Sequence, residues 1–270
     1  MLNLENISVS SLCHILGLSD FELRKFIRAA PRLYYPKLIQ QKNQKIRKLE
    51  IPHRRLKNYQ TIILREVLSG LKDDSRIFGG PGTSTKDAMR LHTHKPVLIT
   101  SDIKDFFPSI KAFHVRNAFR KHGASEEMAD ILTRLVTHHN RLPQGAPTSP
   151  AIGRLILQPI AEELDNILKN IRKFSLSIYV DDIILSGPIG IKGFLSTIRR
   201  MLLRHGFRLN EKTKIMYRNE EQVCLNIRVN DGIAPPTLYI EKVRELANII
   251  PKSDPRLKGK MAYIEYLKKN

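Results

Sequence analysis

Between Phe174 and Val180 the chain alternates strictly, with Phe174, Leu176, Ile178 and Val180 on one side and Ser175, Ser177 and Tyr179 on the other. A period of two residues marks a β-strand. Asp181 and Asp182 break the alternation and the apolar run Ile183, Ile184 and Leu185 follows at once, so the two runs form a hairpin with the acidic pair at its tip. A third carboxylate, Asp102, ends another β-rich run, Val97 to Ser101. One small sheet can therefore carry all three to a single edge. Alone, an acidic pair at a hairpin tip is an ordinary solvated turn, but three converging acids repel one another and need cations to stay ionised together. Oxygen donors suit hard divalent ions, which a few carboxylates and substrate phosphates typically hold. Two such ions, roughly 3.5–4 Å apart, stabilise the attacking and leaving oxygens of an in-line phosphoryl displacement. The sequence thus points to one or two Mg²⁺ ions and to nucleotidyl transfer.

Charge selects the substrate class. Lys and Arg number 46 against 26 Asp and Glu, a formal charge of +20 over 270 residues. That excess favours a nucleic-acid partner over a merely basic soluble protein. Membrane attachment is the other use of basic charge, but no apolar run approaches the ~18 residues of a spanning helix. The start, MLNLENISVSS, lacks the basic and apolar regions of a signal peptide. Two cysteines, Cys13 and Cys224, cannot make a disulfide framework, so a cytoplasmic, reducing setting is expected. His92 with His94, and His138 with His139, lack cysteine or carboxylate neighbours at zinc-ligand spacing, and no zinc site is expected.

The chain reads as one α/β body with a basic tail. Ser19 and Glu22 have capping-box spacing and FELRKFIRAA stops at Pro31, which predicts two short helices within residues 1–35. From Lys42 to Lys57 charge is dense. Lys45, Arg47, Lys48, Arg54, Arg55 and Lys57 surround Leu49, Ile51 and Pro52, which reads as a short strand with an exposed basic face. Leu56, Tyr59, Ile63 and Val67 give a helix to about residue 69, before the loop GGPGTST at 79–85. Helices follow over 112–122 and 126–138. Pro147 and Pro150 then open a long helix with Leu155, Ile156, Ile160, Leu164 and Ile167 on its apolar positions. Downstream the pattern predicts a helix over about 191–204 ending at Gly206, strands over about 213–217 and 223–229, a helix over 239–249 and a basic end.

Four strings now fall in order: Asp102 in SDIKDFFPSI, LPQGAPTSP at 142–150, YVDD at 179–182 and GFRLNEKTKI at 206–215. Together, at comparable spacing, they resemble the palm motifs of reverse transcriptases. RKLEIPHRRLKNYQ, from Arg47 to Gln60, resembles the fingers of the bacterial members. YVDD or LPQG alone would be weak, whereas four motifs in sequence are specific over roughly residues 35–230. The resemblance implies a right-hand polymerase of α/β (α+β) class. Its parts would be an N-terminal helical segment at 1–35, fingers at 36–96 with part of 112–150, a palm at 97–232 and a short basic thumb at 233–270.

Residue by residue, the resemblance implies that Asp102, Asp181 and Asp182 are catalytic and hold two Mg²⁺ ions, with the Ile103 carbonyl as a further ligand. Phe107 matches the steric gate against a ribose 2′-hydroxyl, which implies deoxynucleotide substrates, and its plain alternative is a core Phe beside Phe106. Gln144 matches the residue lining the nucleotide pocket, and Gly145 allows close backbone approach. Arg47, with Lys48, matches the grip on the incoming triphosphate, where a fixed guanidinium pairs with phosphate oxygens. Lys212 or Lys214 matches the lysine that protonates departing pyrophosphate, the loop being one residue shorter than a common form. Tyr179 and Val180 stand where a side chain would press on the primer terminus. Lys57, Lys242, Arg244 and Lys258 are expected to meet nucleic-acid phosphates.

Within the family the short chain and LPQGAPTSP look like the retron branch, which copies part of a noncoding RNA into DNA in anti-phage defence. The implied partners are that RNA template, the DNA product, dNTPs and an effector or partner protein, with no membrane. Two retron signatures differ: Ala88, Met89, Arg90, Leu91 and His92 keep only the His of the Asn-Ala-x-x-His string, and Cys224, Leu225 and Asn226 stand where Val-Thr-Gly is usual. A related defence-associated reverse transcriptase fits as well. The motifs are also compatible with a group II intron-like enzyme and with a catalytically silent polymerase-fold scaffold that binds RNA.

Overall fold

A computed structural model describes residues 4–40, 44 and 46–269. Lys42 and Lys45 of the basic run lie outside the described residues. Along the chain the elements are α1 (Val9–Leu16), α2 (Asp20–Ala29), β1 (Tyr34–Gln40), β2 (Ile46–Pro52), α3 (Arg54–Ile63), β3 (Ile77–Phe78), α4 (Thr85–Arg90), β4 (Val97–Asp102), α5 (Phe106–Ser109), α6 (Ala112–Lys121), α7 (Glu126–Val136) and α8 (Ser149–Leu168). There follow β5 (Ser175–Tyr179), β6 (Asp182–Gly187), α9 (Leu195–Arg204), β7 (Lys214–Tyr217), β8 (Val223–Cys224), β9 (Ile227–Arg228), α10 (Thr237–Ile249) and α11 (Pro255–Lys268). Two compact units result, Met1–Asp74 with Lys104–Ile160, and Ser75–Ile103 with Ala161–Asn270.

The first unit holds the paired helices and the basic ribbon. The expected capping box is present: Ser19 Oγ accepts from the Glu22 N–H, and the Ser19 N–H donates to Glu22 Oε2 at 2.8 Å. Leu23, Phe26 and Ile27 then form the buried face of α2. β1 and β2 pair antiparallel, with Arg47 opposite Ile39 and Lys48 opposite Leu38. All four of these side chains are exposed. The helix expected to residue 69 is α3 prolonged by a π-turn, Leu64–Leu68.

The second unit is built on a five-stranded sheet of order β3-β5-β6-β4-β7, in which only β3–β5 is parallel. The alternation through β5 suggests one polar face, yet Ser177 is fully buried. Its cover is α4, which adds Ala88 and Met89 to a cluster of Leu98, Ile184, Cys224, Ile227, Val229 and Leu267. His92, also fully buried, bonds Ser186 Oγ through Nδ1 at 2.8 Å and Ser177 Oγ through Nε2 at 2.7 Å. One imidazole thereby satisfies a hydroxyl on each strand of the hairpin, and the polar face is a seam inside the core.

Three expectations need correction. The stretch 223–229 is not one strand but the β8–β9 hairpin, because Leu225 and Asn226 both take the left-handed conformation, at φ 49 and 62°. Two successive positive φ values make the tight turn whose twist suits a hairpin. The helix expected from 191 begins at Leu195, after a 3₁₀ segment, Ile189–Phe194. The basic end is α11: Asp254 caps it by accepting from the Arg256 N–H at 2.8 Å, Pro255 occupies its first turn, and Leu257 and Leu267 are buried. Lys86, only 6% exposed, donates to the Tyr266 carbonyl at 3.1 Å and to that of Lys269, a cation placed where the helix C-terminus is negative.

Burial, with Lys95 nearby, pulls the His92 pKa down to about 3 in the folded chain. The unfolded value is about 6.5, so between these limits the unfolded chain binds more protons and stability falls as pH falls. Thermal melts from pH 7.5 to 4.5 are expected to show a loss of up to about 1.4 kcal/mol per pH unit below 6.5 from this group. His92→Gln should melt lower at pH 7.5 but show a shallower acid slope; an unchanged slope would contradict the assignment.

Candidate active site

Backbone register sets the centre of the site. β4 and β6 pair antiparallel so that Asp102, the last residue of β4, lies opposite Asp182, the first of β6. Asp182 is thus a strand residue, not part of the tip. The tip is Val180 and Asp181, since Tyr179 pairs with Asp182. The Ile103 N–H donates to the Asp181 carbonyl at 2.8 Å, which ties the end of β4 to the turn.

Val180 takes φ 59°. A β-branched residue there is an outlier, and such strain, of order 1–3 kcal/mol, gathers at functional sites. The glycine loop supports it. Gly79 has φ 88°, and a Cβ built on it would lie 3.3 Å from Val180 Cγ2 and 3.6 Å from Tyr179 Cε2, so a side chain there would press on the turn.

The charges converge as the register requires. Burial first, then repulsion from Asp181 and Asp102, pushes the Asp182 carboxyl up to about 6. Asp102 is held instead by a neutral amide: Asn210 Nδ2 donates to Asp102 Oδ2 at 3.1 Å, and the Asn210 N–H to the Asp102 carbonyl at 2.8 Å. Asn210 stands inside GFRLNEKTKI, but nothing in that string points to its bond with Asp102. A cleft of about 420 Å³ is lined by Thr100, Ser101, Asp102, Asp182, Lys212, Lys214 and residues 223–226. Both candidate lysines share it with the acids.

The donor set is all oxygen, three carboxylates and the Ile103 carbonyl, which suits a hard divalent ion. Among the described residues no group of three or more His, Cys, Asp or Glu side chains is placed to hold a metal ion. What fits a hard divalent ion is the chemistry of the donors, since Mg²⁺ keeps waters and takes substrate phosphates beside one or two carboxylates.

The remaining sequence-predicted residues divide between the units. In the second, Tyr179 is partly buried on the sheet, and Lys242 and Arg244 on α10 and Lys258 on α11 are exposed. In the first, Arg47, Lys48 and Lys57 are exposed. Phe106 is the core ring, 3% exposed, and Phe107 is the more open neighbour at a 5.2 Å centroid distance. Gln144 is joined to the strand of Arg47, because the Glu50 N–H donates to the Gln144 carbonyl at 2.9 Å.

The chain is similar to known proteins. Residues 39–253 match the family described as reverse transcriptase (RNA-dependent DNA polymerase). Retron Mx65 reverse transcriptase of Myxococcus xanthus is 26% identical over 284 aligned residues, 93% of this chain and 66% of that protein. Retron Ec86 reverse transcriptase of Escherichia coli is 29% identical over 144 residues, 53% of this chain and 45% of that protein. This chain therefore spans between 45% and 66% of the length of these relatives. Telomerase from Candida albicans, solved with a fragment of telomeric RNA, superposes at TM-score 0.57 and 11% identity over 80% of this chain and 50% of that one, a likeness of fold. The fold is that of a right-hand polymerase, the resemblance to the bacterial retron-type enzymes holds, and the chain belongs to the reverse transcriptase (RNA-dependent DNA polymerase) family.

Proposed function

We propose that this chain is an RNA-directed DNA polymerase that extends a primer with deoxynucleotides on an RNA template. The observation that carries the reading is the β4–β6 register, which opposes Asp102 to Asp182 in a cleft that both line, with Asp181 next to Asp182 in the turn. Two bound Mg²⁺ ions would supply activation of the primer 3′-hydroxyl and neutralisation of the triphosphate. The chain's own residues do the rest. Asp102, Asp181, Asp182 and the Ile103 carbonyl hold the ions, and Lys212 or Lys214 gives a proton to the departing pyrophosphate. Arg47 and Lys48 hold the triphosphate, Gln144 lines the base and sugar pocket, and Phe107 excludes a 2′-hydroxyl. Tyr179 supports the primer end, while Lys57, Lys242, Arg244 and Lys258 meet phosphates. Catalysis is chiefly positioning and charge stabilisation.

In this reading residues 36–96 with part of 112–150 are fingers, 97–232 palm and 233–270 thumb, after the helical segment 1–35. The retron names of the relatives are in keeping with a noncoding RNA template and a DNA product, and the reading adds an effector partner and a role in anti-phage defence in the cytoplasm. Among the described residues no helix is long and apolar enough to cross a membrane.

Extension of a labelled primer on an RNA template in Mg²⁺ is the direct test. Synthesis with deoxynucleotides is expected, and Asp181→Asn with Asp182→Asn should lower it at least about 100-fold while leaving nucleic-acid binding intact. An RNA-binding scaffold would instead show no synthesis and bind equally with and without Mg²⁺. Phe107→Ala should admit ribonucleotides that the parent rejects, so unchanged sugar selection would remove the gate from that residue. Because Asp182 is buried against like charge, Asp182→Asn should melt higher than the parent without divalent ions at pH 7.5. Mg²⁺ should raise the parent's Tm more than the variant's; equal shifts would place the ion elsewhere.

A further inference from the structure

β2 changes character within three residues. Arg47 and Lys48 point to solvent, but the Glu50 side chain is only 12% exposed. Glu50 Oε1 accepts from His138 Nδ1 at 3.1 Å and from Arg141 Nη2 at 3.0 Å. Burial pushes the Glu50 carboxyl up, but Arg141 and His138 together outweigh it and hold the group below the usual range, so it is ionised at neutral pH. His138, with 10% of its side chain exposed, stacks on Tyr34 of β1 at a centroid distance of 4.3 Å. Tyr34 Oη in turn accepts from Gln60 Nε2 at 2.7 Å, and the same Gln60 nitrogen donates to the Leu135 carbonyl at 2.9 Å. Arg141 Nε is buried with no hydrogen-bond partner among the described residues, so its side chain meets the cluster through Nη2, while its main chain pairs with that of His138 at 2.8 and 3.0 Å.

The main chain of Glu50 makes a second connection. Its N–H holds the Gln144 carbonyl at 2.9 Å. Gly145, at φ 130°, closes the approach: a Cβ there would stand 2.8 Å from Ile51 Cδ1 and 3.2 Å from the Glu50 carbonyl oxygen. Arg141, which grips the Glu50 carboxylate, lies three residues before Gln144 on the same loop. One acidic residue thus ties the ribbon of Arg47 and Lys48 to the loop of Gln144 twice, once through its carboxylate and once through its backbone. Arg47 and Glu50 are about 10 Å apart along the strand at 3.3–3.4 Å per residue. A tilt of β2 against the loop would therefore move the two ends of the nucleotide pocket relative to each other.

We infer that Glu50, with His138 and Arg141, is a positioning clamp that sets Gln144 against the Arg47–Lys48 ribbon and so determines how tightly the incoming nucleotide is held. The inference rests on the reading of Arg47 and Gln144 as nucleotide contacts. Glu50 touches no substrate in this role and acts through the groups it holds.

The test is steady-state primer extension by the full chain on one RNA template, with KM for dNTP, kcat, primer–template Kd and Tm measured for each variant. Glu50→Gln keeps the shape and removes the charge. It is expected to raise KM about tenfold with kcat and primer–template Kd within about threefold, and Glu50→Asp to recover part of the loss. Combined with Gln144→Ala, Glu50→Gln should add little to the KM of Gln144→Ala alone, because it acts through that residue. If Glu50→Gln is too unstable to assay, Arg141→Lys, at a side chain 40% exposed, carries the same expectation of a raised KM. A lowered Tm with unchanged KM, or full additivity with Gln144→Ala, would overturn the clamp and leave Glu50 a purely structural residue. If Arg47→Ala and Gln144→Ala themselves leave KM unchanged, the nucleotide-pocket reading fails first. If they raise it while Glu50→Gln is silent, only the clamp fails.

Discussion

Mutual repulsion between Asp102 and Asp182, enforced by the β4–β6 register, is the constraint on which the site depends. Cross-strand register cannot relax one residue without turning every side chain of the strand to the other face. Here β6 is buried on both faces, Ile184 on one and Ile183 and Leu185 on the other, so a slip that relieved two acids would force both faces to repack, and the carboxylates stay opposed. Burial raises the penalty and shows in the upward shift of Asp182. The hydrophobic core thus stabilises an arrangement that is unfavourable by itself, and a divalent ion with substrate phosphates is the occupant that would relieve it.

The surroundings follow from holding that edge still. Val180 keeps a strained conformation because hairpin pairing on both sides fixes it and Gly79 leaves room for its side chain. Behind the tip, His92 bonds one serine on each strand, so the hairpin is anchored by directional bonds where apolar contacts alone would let it slide. The C-terminal helix adds Leu267 to the same core, and Lys86 binds the carbonyls at its end. The edge that carries the three acids, the hairpin and the last helix therefore share one packed body.

Much of this was legible in residue order. The alternation through residues 174–180, the acidic pair and the run into Asp102 specify the hairpin and its neighbour, since a period of two admits no other regular structure. The capping box at Ser19, and Pro147 and Pro150 around the first residue of α8, set helix starts directly. What stayed hidden depended on distant partners. Ser177 reads as an exposed residue until His92 is known to lie 2.7 Å away. Leu225 with Asn226 lacks the glycine that usually announces a tight turn, although Asn tolerates a positive φ. α11 lacks a clear apolar stripe, and its readable signals were only the Asp254 cap and Pro255. Asn210 was visible as a letter in a motif, but nothing local says that its amide holds Asp102.

The chain's acids show how such a site keeps its charge in a protein of net +20. Away from the site, acids are matched to arginine: Asp73 with Arg154, Glu126 and Asp130 with Arg116, Glu163 with Arg204, Asp165 with Arg76. Glu50 is matched twice, to Arg141 and His138, and is spent on positioning. Asp102 receives the uncharged amide of Asn210. A guanidinium there would neutralise the carboxylate and occupy the place of a metal ion, whereas an amide orients the oxygen and leaves its charge available. Lys212 and Lys214 line the same cleft. Their ammonium groups are compact point charges on flexible stems, unlike the planar guanidinium of arginine. The division is chemical: arginine faces acids that hold the fold, an amide faces Asp102, the proposed metal ligand, and lysines line the cleft beside it.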